Sequence, residues 1–313
     1  MTHDGATGQD GQPDWTALGA ALVTVVLWAS AFVGIRAVAG DLSPGSLALG
    51  RLLVGAIALG TVVLIRRPGR PSRRALPFIV ASGILWFAGY NVALNAGERY
   101  VDAGTAAMLV NVGPILIAIL GGLFLAEGFP PRLIAGSLVA FAGATVIGLA
   151  TSSGGAGTDA GLGIILCLLA AVAYAVGVVL QKPAVRDTPA LLVTWLACLV
   201  GAAVLIPFVP QLASELGTAP PESLAWLLYL GVFPTAIAFT TWAFALNRTT
   251  AGRLGSTTYL VPAIAIVMGW FVLGEIPPIA ALAGGVIAIG GVVIARSRPA
   301  RPAAAPLAAP APR

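Results

Sequence analysis

The sequence predicts an all-α fold: a polytopic membrane protein of ten transmembrane helices arranged as two inverted five-helix repeats. Three observations predict it. Hydrophobic residues make up 58% of the 313 residues and charged residues only 9%, where a soluble domain carries roughly 25% charged. That is more apolar surface than a soluble core of this length could hide. The apolar residues fall into runs, each near the ~20 residues that cross a ~30 Å hydrocarbon core. Finally, one stretch is written twice.

The first copy, from Ala103 to Pro131, reads AGTAAMLVNVGPILIAILGGLFLAEGFPP, and the second, 148 residues later, reads AGRLGSTTYLVPAIAIVMGWFVLGEIPPI. In register, Ala103, Gly104, Pro114, Gly121, Leu125, Glu127 and Pro130 fall on Ala251, Gly252, Pro262, Gly269, Leu273, Glu275 and Pro278. The same shift carries Gly83 onto Gly231, Gly136 onto Gly284 and Gly143 onto Gly291. A duplicated apolar unit with matching proline-interrupted helices is the mark of a secondary transporter.

Residues 1–15 are polar, with no Lys or Arg, and are expected to be a disordered tail. They are no secretory signal, because the basic n-region is missing and the following apolar run is too long. The spans are 16–39, 45–65, 75–97, 103–125 and 133–150, which with 16 as start and 150 as end make a first unit. The linker 151–159, TSSGGAGTDAG with its flanks, is flexible by composition. The second unit, 160–296, holds spans 162–181, 190–209, 223–246, 252–273 and 279–295. The tail 297–313 is Pro/Ala-rich and expected to be disordered. Open sheets and irregular backbone are excluded against lipid, which leaves helices.

Orientation follows from Lys and Arg. With the N-terminus inside, the cytoplasmic segments hold Arg66, Arg67, Arg70, Arg73, Arg74, Arg132, Lys182, Arg186, Arg248, Arg253, Arg296, Arg298, Arg301 and Arg313, leaving Arg36, Arg51 and Arg99 elsewhere. Both ends are then cytoplasmic, in a plasma (inner) membrane. Five spans per unit turn the second unit upside down, placing Glu127 at the inner face and Glu275 at the outer.

Three features together resemble the drug/metabolite transporter superfamily, ten-span EamA type: LWASAFVGIRAV in span 1, the arginine of ALGRLLVGAIAL in span 2, and the paired long repeats with terminal glutamates. The resemblance covers about 16–296. Span 6 departs from span 1, with Tyr174 where Trp28 would be and Lys182 where Arg36 would be, and no arginine in span 7 matches Arg51. The resemblance implies a central cavity between the halves, alternating access and export of small metabolites or drugs. It does not give the substrate.

The candidate binding residues come from the residues themselves. Pro114 and Pro262 sit mid-span, and each frees a carbonyl one turn back, near Val110 and Thr258. Such breaks can turn polar backbone toward a solute, although neighbours can equally re-satisfy a plain kink. Met108 with Asn111, and Ser256 with Tyr259, share one helix face in each copy at i, i+3. They are expected to face each other across the pseudo-twofold axis, with interhelical hydrogen bonding as the plain alternative. Trp86, Tyr90 and Asn91 in span 3, Thr235, Phe239 and Trp242 in span 8, and Trp28 and Tyr174 in spans 1 and 6 describe an aromatic wall, or apolar packing. The solute is expected between spans 3, 4, 8 and 9, against Trp86, Tyr90, Asn111, Trp242 and Tyr259.

Arg51 lies inside a span, where a charge costs about 2.5–3.5 kcal/mol on insertion scales. It either snorkels outward or serves as gate partner to Asp41 or Asp102. Glu127 and Glu275 are helix-end carboxylates or gating groups. The one histidine is His3, and Cys167 and Cys198 have no spaced partner, so no metal site follows. No cofactor, P-loop, catalytic carboxylate pair or nucleic-acid partner is indicated, and the chain is not expected to be an enzyme. The partners are a small-molecule substrate and the bilayer, with a homodimer compatible. Two alternatives stay open: an importer or exchanger of an anionic or phosphorylated metabolite, and a non-transporting scaffold or membrane enzyme.

Overall fold

The structure is a computed structural model that describes residues 14–100, 106, 109–151, 160–273 and 278–297. The described residues are helical, with no strand. Met108, Glu275 and Asp102, the linker between the halves and most of both tails lie outside them.

The chain begins with α1 (Trp15–Val38) and α2 (Pro44–Arg66). Ser43 caps α2 with its hydroxyl, and Pro44 opens the helix at a position where a missing N–H costs nothing. The third apolar stretch is α3 (Leu76–Ser82), a π-helical segment (Gly83–Tyr90) and α4 (Asn91–Gly97). Then come α5 (Gly113–Phe124) and α6 (Pro131–Thr151).

The second half repeats this plan with α7 (Ala160–Asp187), α8 (Ala190–Val204) and α9 (Val209–Thr218). It continues through α10 (Pro221–Leu230), a second π-helical segment (Gly231–Ile237) and α11 (Ala238–Arg248). It closes with α12 (Ala251–Thr257), α13 (Leu260–Leu273) and α14 (Ile279–Arg296).

Seven of the described helical stretches are long and apolar enough to cross a bilayer, and an eighth counts if α8 and the helix after it, bent 59° apart, are one span. The ten-span expectation therefore meets seven or eight. Among the described residues the two remaining stretches are interrupted, at Asn111–Val112 and at Thr258–Tyr259, leaving α5 at 12 residues and splitting the other into α12 and α13. The bend after α8 was not expected either. Pro207 and Pro210 lie at the corner, and α9 beyond it is too polar to read as apolar.

The two π-helical segments occupy matching repeat positions, since Gly83 falls on Gly231 under the 148-residue shift. Their packing matches too. A Cβ on Gly83 would meet Val200 Cβ at 2.8 Å and the Ala197 carbonyl at 3.0 Å; on Gly231 it would meet Val54 Cβ at 2.4 Å and the Arg51 carbonyl at 3.0 Å. Each π segment thus lies against the second helix of the other half, and Arg51 is the positional counterpart of Ala197.

The halves interlock throughout. The helix α1 packs on α10, α11 and α13, while α7 packs on α3, α4 and α5. The closest helix pair is α6 with α14. A Cβ on Gly136 would lie 2.2 Å from Ala295 N, and one on Gly143 would lie 2.4 Å from Ala288 N and 2.6 Å from the Gly284 carbonyl. As α6 advances from 136 to 143, its contacts on α14 retreat from 295 to 284, so these repeat-equivalent helices run antiparallel. Small residues at every third or fourth position let the backbones touch, which is how helices associate where lipid offers no hydrophobic drive.

A chain of contacts ties one end of the bundle together. Arg248 Nε lies 3.5 Å from Asp14 Oδ2. Lys182 Nζ donates to the carbonyls of Leu246 and Thr249. The Ser72 amide donates to Thr188 Oγ1 at 3.2 Å. Glu127 accepts from the amides of Ala251 (2.7 Å) and Gly252 (3.2 Å). Arg132 reaches Ser297 Oγ at 3.4 Å. Most of the arginines collect at this end. At the opposite end Ser43 N donates to Glu215 Oε2 at 2.9 Å, and Ser223 Oγ donates to Asp41 Oδ2 at 2.5 Å.

Candidate substrate-binding cavity

A cavity lies between the halves at the depth of the interrupted helices. In the first half the helix breaks into a turn at Asn111–Val112, immediately before α5 and its Pro114. In the second it breaks at Thr258–Tyr259, before α13 and Pro262. The breaks are closed by short-range bonds: Val112 N to the Leu109 carbonyl (3.2 Å), Thr258 N to Gly255 (3.0 Å) and Val261 N to Thr258 (3.0 Å). The Thr258 carbonyl, which Pro262 cannot serve, thus takes the Val261 amide and keeps one lone pair.

The cavity is lined from all sides of the bundle. Trp28, Ala31, Phe32 and Ile35 come from α1, Arg51 from α2, and Trp86, Tyr90, Asn91 and Leu94 from the third apolar stretch. Val110, Asn111 and Pro114 face Thr258, Val261 and Pro262 across it, with Tyr174 of α7 and Phe239 of α11 completing the wall. Its volume for the centres of water-sized spheres is about 80 Å³. One water needs about 10–15 Å³ on that measure, so several waters or a small solute fit.

The wall is a single aromatic cluster. Trp28 meets Trp86 edge-on at 6.0 Å between ring centres, Phe239 at 5.5 Å and Trp242 at 4.9 Å. Trp86 meets Phe239 at 4.8 Å, and Tyr90 meets Tyr174 at 5.9 Å. Gly113 makes room for this packing, since a Cβ there would lie 2.6 Å from the Tyr174 ring. The polar side chains in the lining are Tyr90, Asn91, Asn111, Tyr174 and Thr258, and Arg51 is its one charged residue. Asn91 Nδ2 donates to the Phe87 carbonyl at 2.8 Å.

Of the residues expected from sequence, the structure brings Trp28, Trp86, Tyr90, Asn91, Asn111, Tyr174, Pro114, Pro262 and Arg51 to one lining. Four others lie outside it. Trp242 is fully buried behind Trp28, its Nε1 without a hydrogen-bond partner among the described residues. Thr235 lies behind Arg51 and accepts from it. Ser256 is fully buried, its hydroxyl donating to the Arg253 carbonyl at 2.8 Å.

Tyr259 requires a correction. It points away from the cavity into the packing of Ala140, Ala144 and Val292, with its hydroxyl buried and without a partner. The lining residue on that turn is Thr258, the repeat counterpart of Val110. The i, i+3 extrapolation from Ser256 assumed an unbroken α-helix. The 3₁₀-like turn at 258–259 advances each residue by about 120° instead of 100°, which rotates the next side chain off the face.

The gating expectations also change. Asp41 is committed to Ser223, so it does not serve Arg51. Arg51 is instead 5% exposed and faces the cavity, with Nε donating to Thr235 Oγ1 at 3.0 Å. Thr235 in turn donates to the Leu230 carbonyl at 2.8 Å, the acceptor that Pro234, lacking an N–H, cannot satisfy. Glu127 does not sit loose at a helix end but caps α12, and Lys182, which the sequence marked only as a departure, grips the end of α11. Arg248 lies outside the cavity, over the Phe244 ring at 3.7 Å.

Comparison with known proteins fits this architecture. The chain matches the EamA-like transporter family twice, over residues 15–149 and 161–297. It is 36% identical over 282 residues, 90% of this chain and 94% of the relative, to a protein of Streptantibioticus cattleyicolor named "Probable terminal-alkyne amino-acid exporter". It is 27% identical over 290 residues, 88% of this chain and 92% of the relative, to a "Probable amino-acid metabolite efflux pump" of Salmonella typhimurium. One crystal structure shares the fold with a TM-score of 0.75 at 21% identity, covering 91% of this chain and 97% of that one. Matched in both halves and alike over nearly its whole length, this chain belongs to the EamA-like transporter family.

Proposed function

We propose that the protein exports small amino-acid-like metabolites by alternating access through the central cavity. The observation that carries this reading is the cavity itself, enclosed by aromatics and set where both halves of a duplicated chain break their helices. Pockets for small solutes are mainly apolar with a few placed polar groups, and repeat interfaces with broken helices are where transporters hold their cargo. The relatives named as a probable terminal-alkyne amino-acid exporter and a probable amino-acid metabolite efflux pump support the solute class and the direction.

In this reading the two halves are inverted repeats. The support is the antiparallel contact of α6 and α14, with Gly136 against Ala295 and Gly143 against Ala288 and Gly284. The interrupted stretches also cross, giving ten spans with both termini cytoplasmic, as the arginine-rich end of the bundle favours. Cysteines at Ser72 and Ser153 are then expected to react with impermeant maleimide from opposite faces of the inner membrane; reaction of both from one face overturns the inversion.

In this reading the end that carries Lys182 and Glu127 is the closed one, held by their contacts with the ends of α11 and α12. Outside the lining, Gln181 and Trp242 bury polar atoms that have no partner among the described residues. Unpaired buried groups cost about 1–3 kcal/mol each, and they gain water if this end opens. The Lys182 and Glu127 contacts hold it shut, as the inner gate.

The reading is tested by export of labelled amino acids from cells expressing the protein, and by counterflow in proteoliposomes. Absence of flux across an amino-acid panel including propargylglycine overturns the solute class. Within an active panel, Thr258→Val is expected to raise the apparent KM three- to tenfold, about 1 kcal/mol for one lost hydrogen bond. Tyr259→Phe is expected to leave transport unchanged, because it removes a hydroxyl that faces no solute.

A further inference from the structure

We infer that Arg51 is the anchor for a carboxylate on the transported solute. The inference rests on the cavity being the binding site, and it names the charge that the solute must carry.

Four observations converge on it. Arg51 is the one charged residue in the lining, and it is 95% buried from bulk solvent. Its guanidinium is oriented by a single hydrogen bond, Nε to Thr235 Oγ1, which leaves the two terminal nitrogens without a protein acceptor among the described residues. No carboxylate of the described residues lies within ion-pair distance of it, and Asp41 is engaged elsewhere. Finally, the fold does not require a cation here. The contact of Arg51 with Gly231 is made by its backbone carbonyl, as that of Ala197 is with Gly83 in the other half, so that packing does not use the side chain.

An intramembrane arginine is costly enough to be kept for a purpose. A guanidinium held through Nε presents its terminal N–H groups as a planar fork, the geometry that takes a carboxylate with charge-assisted hydrogen bonds. A single fixed cation in an otherwise neutral, aromatic-walled cavity suits one carboxylate and disfavours a phosphate carrying two charges. Asn91 and Thr258 then offer neutral oxygens for an amine on the same solute, and Trp28 and Trp86 offer faces to its side chain.

The experiment uses the full-length protein in detergent and in proteoliposomes, with two probe pairs that differ only in the carboxylate: phenylacetate against phenylacetamide, and propargylglycine against its carboxamide. Binding is read from quenching of tryptophan fluorescence. In the wild-type protein each acid is expected to bind at least tenfold more tightly than its amide. Arg51→Gln is expected to remove that preference by weakening the acid tenfold or more while leaving the amide unchanged, and Arg51→Lys to retain part of it.

Equal binding of acid and amide to the wild-type protein overturns the anchor, and that comparison needs no variant to fold. An acid preference that survives in monodisperse Arg51→Gln also overturns it. Preference for phenylacetate without transport of any amino acid upholds the anchor and refutes amino-acid export. Amino-acid transport that is indifferent to Arg51 and to amidation does the reverse.

Discussion

Gly143→Ala is expected to prevent stable folding, while Gly290→Ala, one methyl on the partner helix, is expected to be tolerated or mildly stabilising. The two sites differ in what a Cβ meets. At Gly143 it lies 2.4 Å from Ala288 N and 2.6 Å from the Gly284 carbonyl; at Gly290 nothing lies within 4 Å. Backbone atoms cannot rotate aside, so the α6–α14 contact must separate by more than an ångström along its closest stretch. Overpacking a tight core costs about 1–3 kcal/mol for small insertions and more when the backbone must move. At Gly290 the alanine gains up to about 1 kcal/mol of helix propensity. Thermal unfolding in detergent, followed by size-exclusion, checks both. A Gly143→Ala protein with wild-type stability would mean that the two helices are not in contact as described.

Glu127→Ala is expected to open the cavity toward the Lys182 end. Its carboxylate accepts from two amides at the start of α12, while Lys182 donates to two carbonyls at the end of α11. Negative charge at a helix start and positive charge at a helix end both complement the helix dipole, so the turn from Leu246 to Gly252 is held from both sides. Loss of charge-assisted hydrogen bonds costs about 1.5–3 kcal/mol, which is about a ten- to hundredfold shift in the closed-to-open ratio.

With Cys167 and Cys198 replaced by Ala and a cysteine placed at Val110 in the cavity, labelling from the Lys182 face should accelerate at least tenfold in Glu127→Ala. Lys182→Met should behave alike, and Glu127→Gln, which keeps an acceptor, should shift less. Unchanged labelling in both severe variants would show that the clamp is not what keeps this end closed.

Much of this protein was legible in its sequence because the bilayer imposes a simple rule. Long apolar runs must be helices, so α1, α2, α6 and α14 appear within one or two residues of where length and hydropathy put them, while α7 runs six residues past its expected end. The 148-residue register was legible because glycines and prolines at matched positions serve backbone contacts that tolerate no side chain, as at Gly83 and Gly231. The cavity's aromatics were legible as well, since Trp28, Trp86, Tyr90 and Tyr174 are unusual so deep in a span.

What the sequence could not fix is where a side chain points once the helix leaves the α-helical period. The 3₁₀-like turn at 258–259 exchanged Thr258 for Tyr259. The π-helical segment at Gly231–Ile237 placed Thr235 under Arg51, a partner 184 residues away that no local pattern announces. The same holds for Glu127 and Lys182, whose donors and acceptors respectively are backbone groups flanking the turn between α11 and α12. Backbone groups leave no trace in residue type. Composition and periodicity thus determined that this chain is a duplicated helical membrane protein broken at two prolines. Only the packing of one half against the other decided which charge faces the cavity.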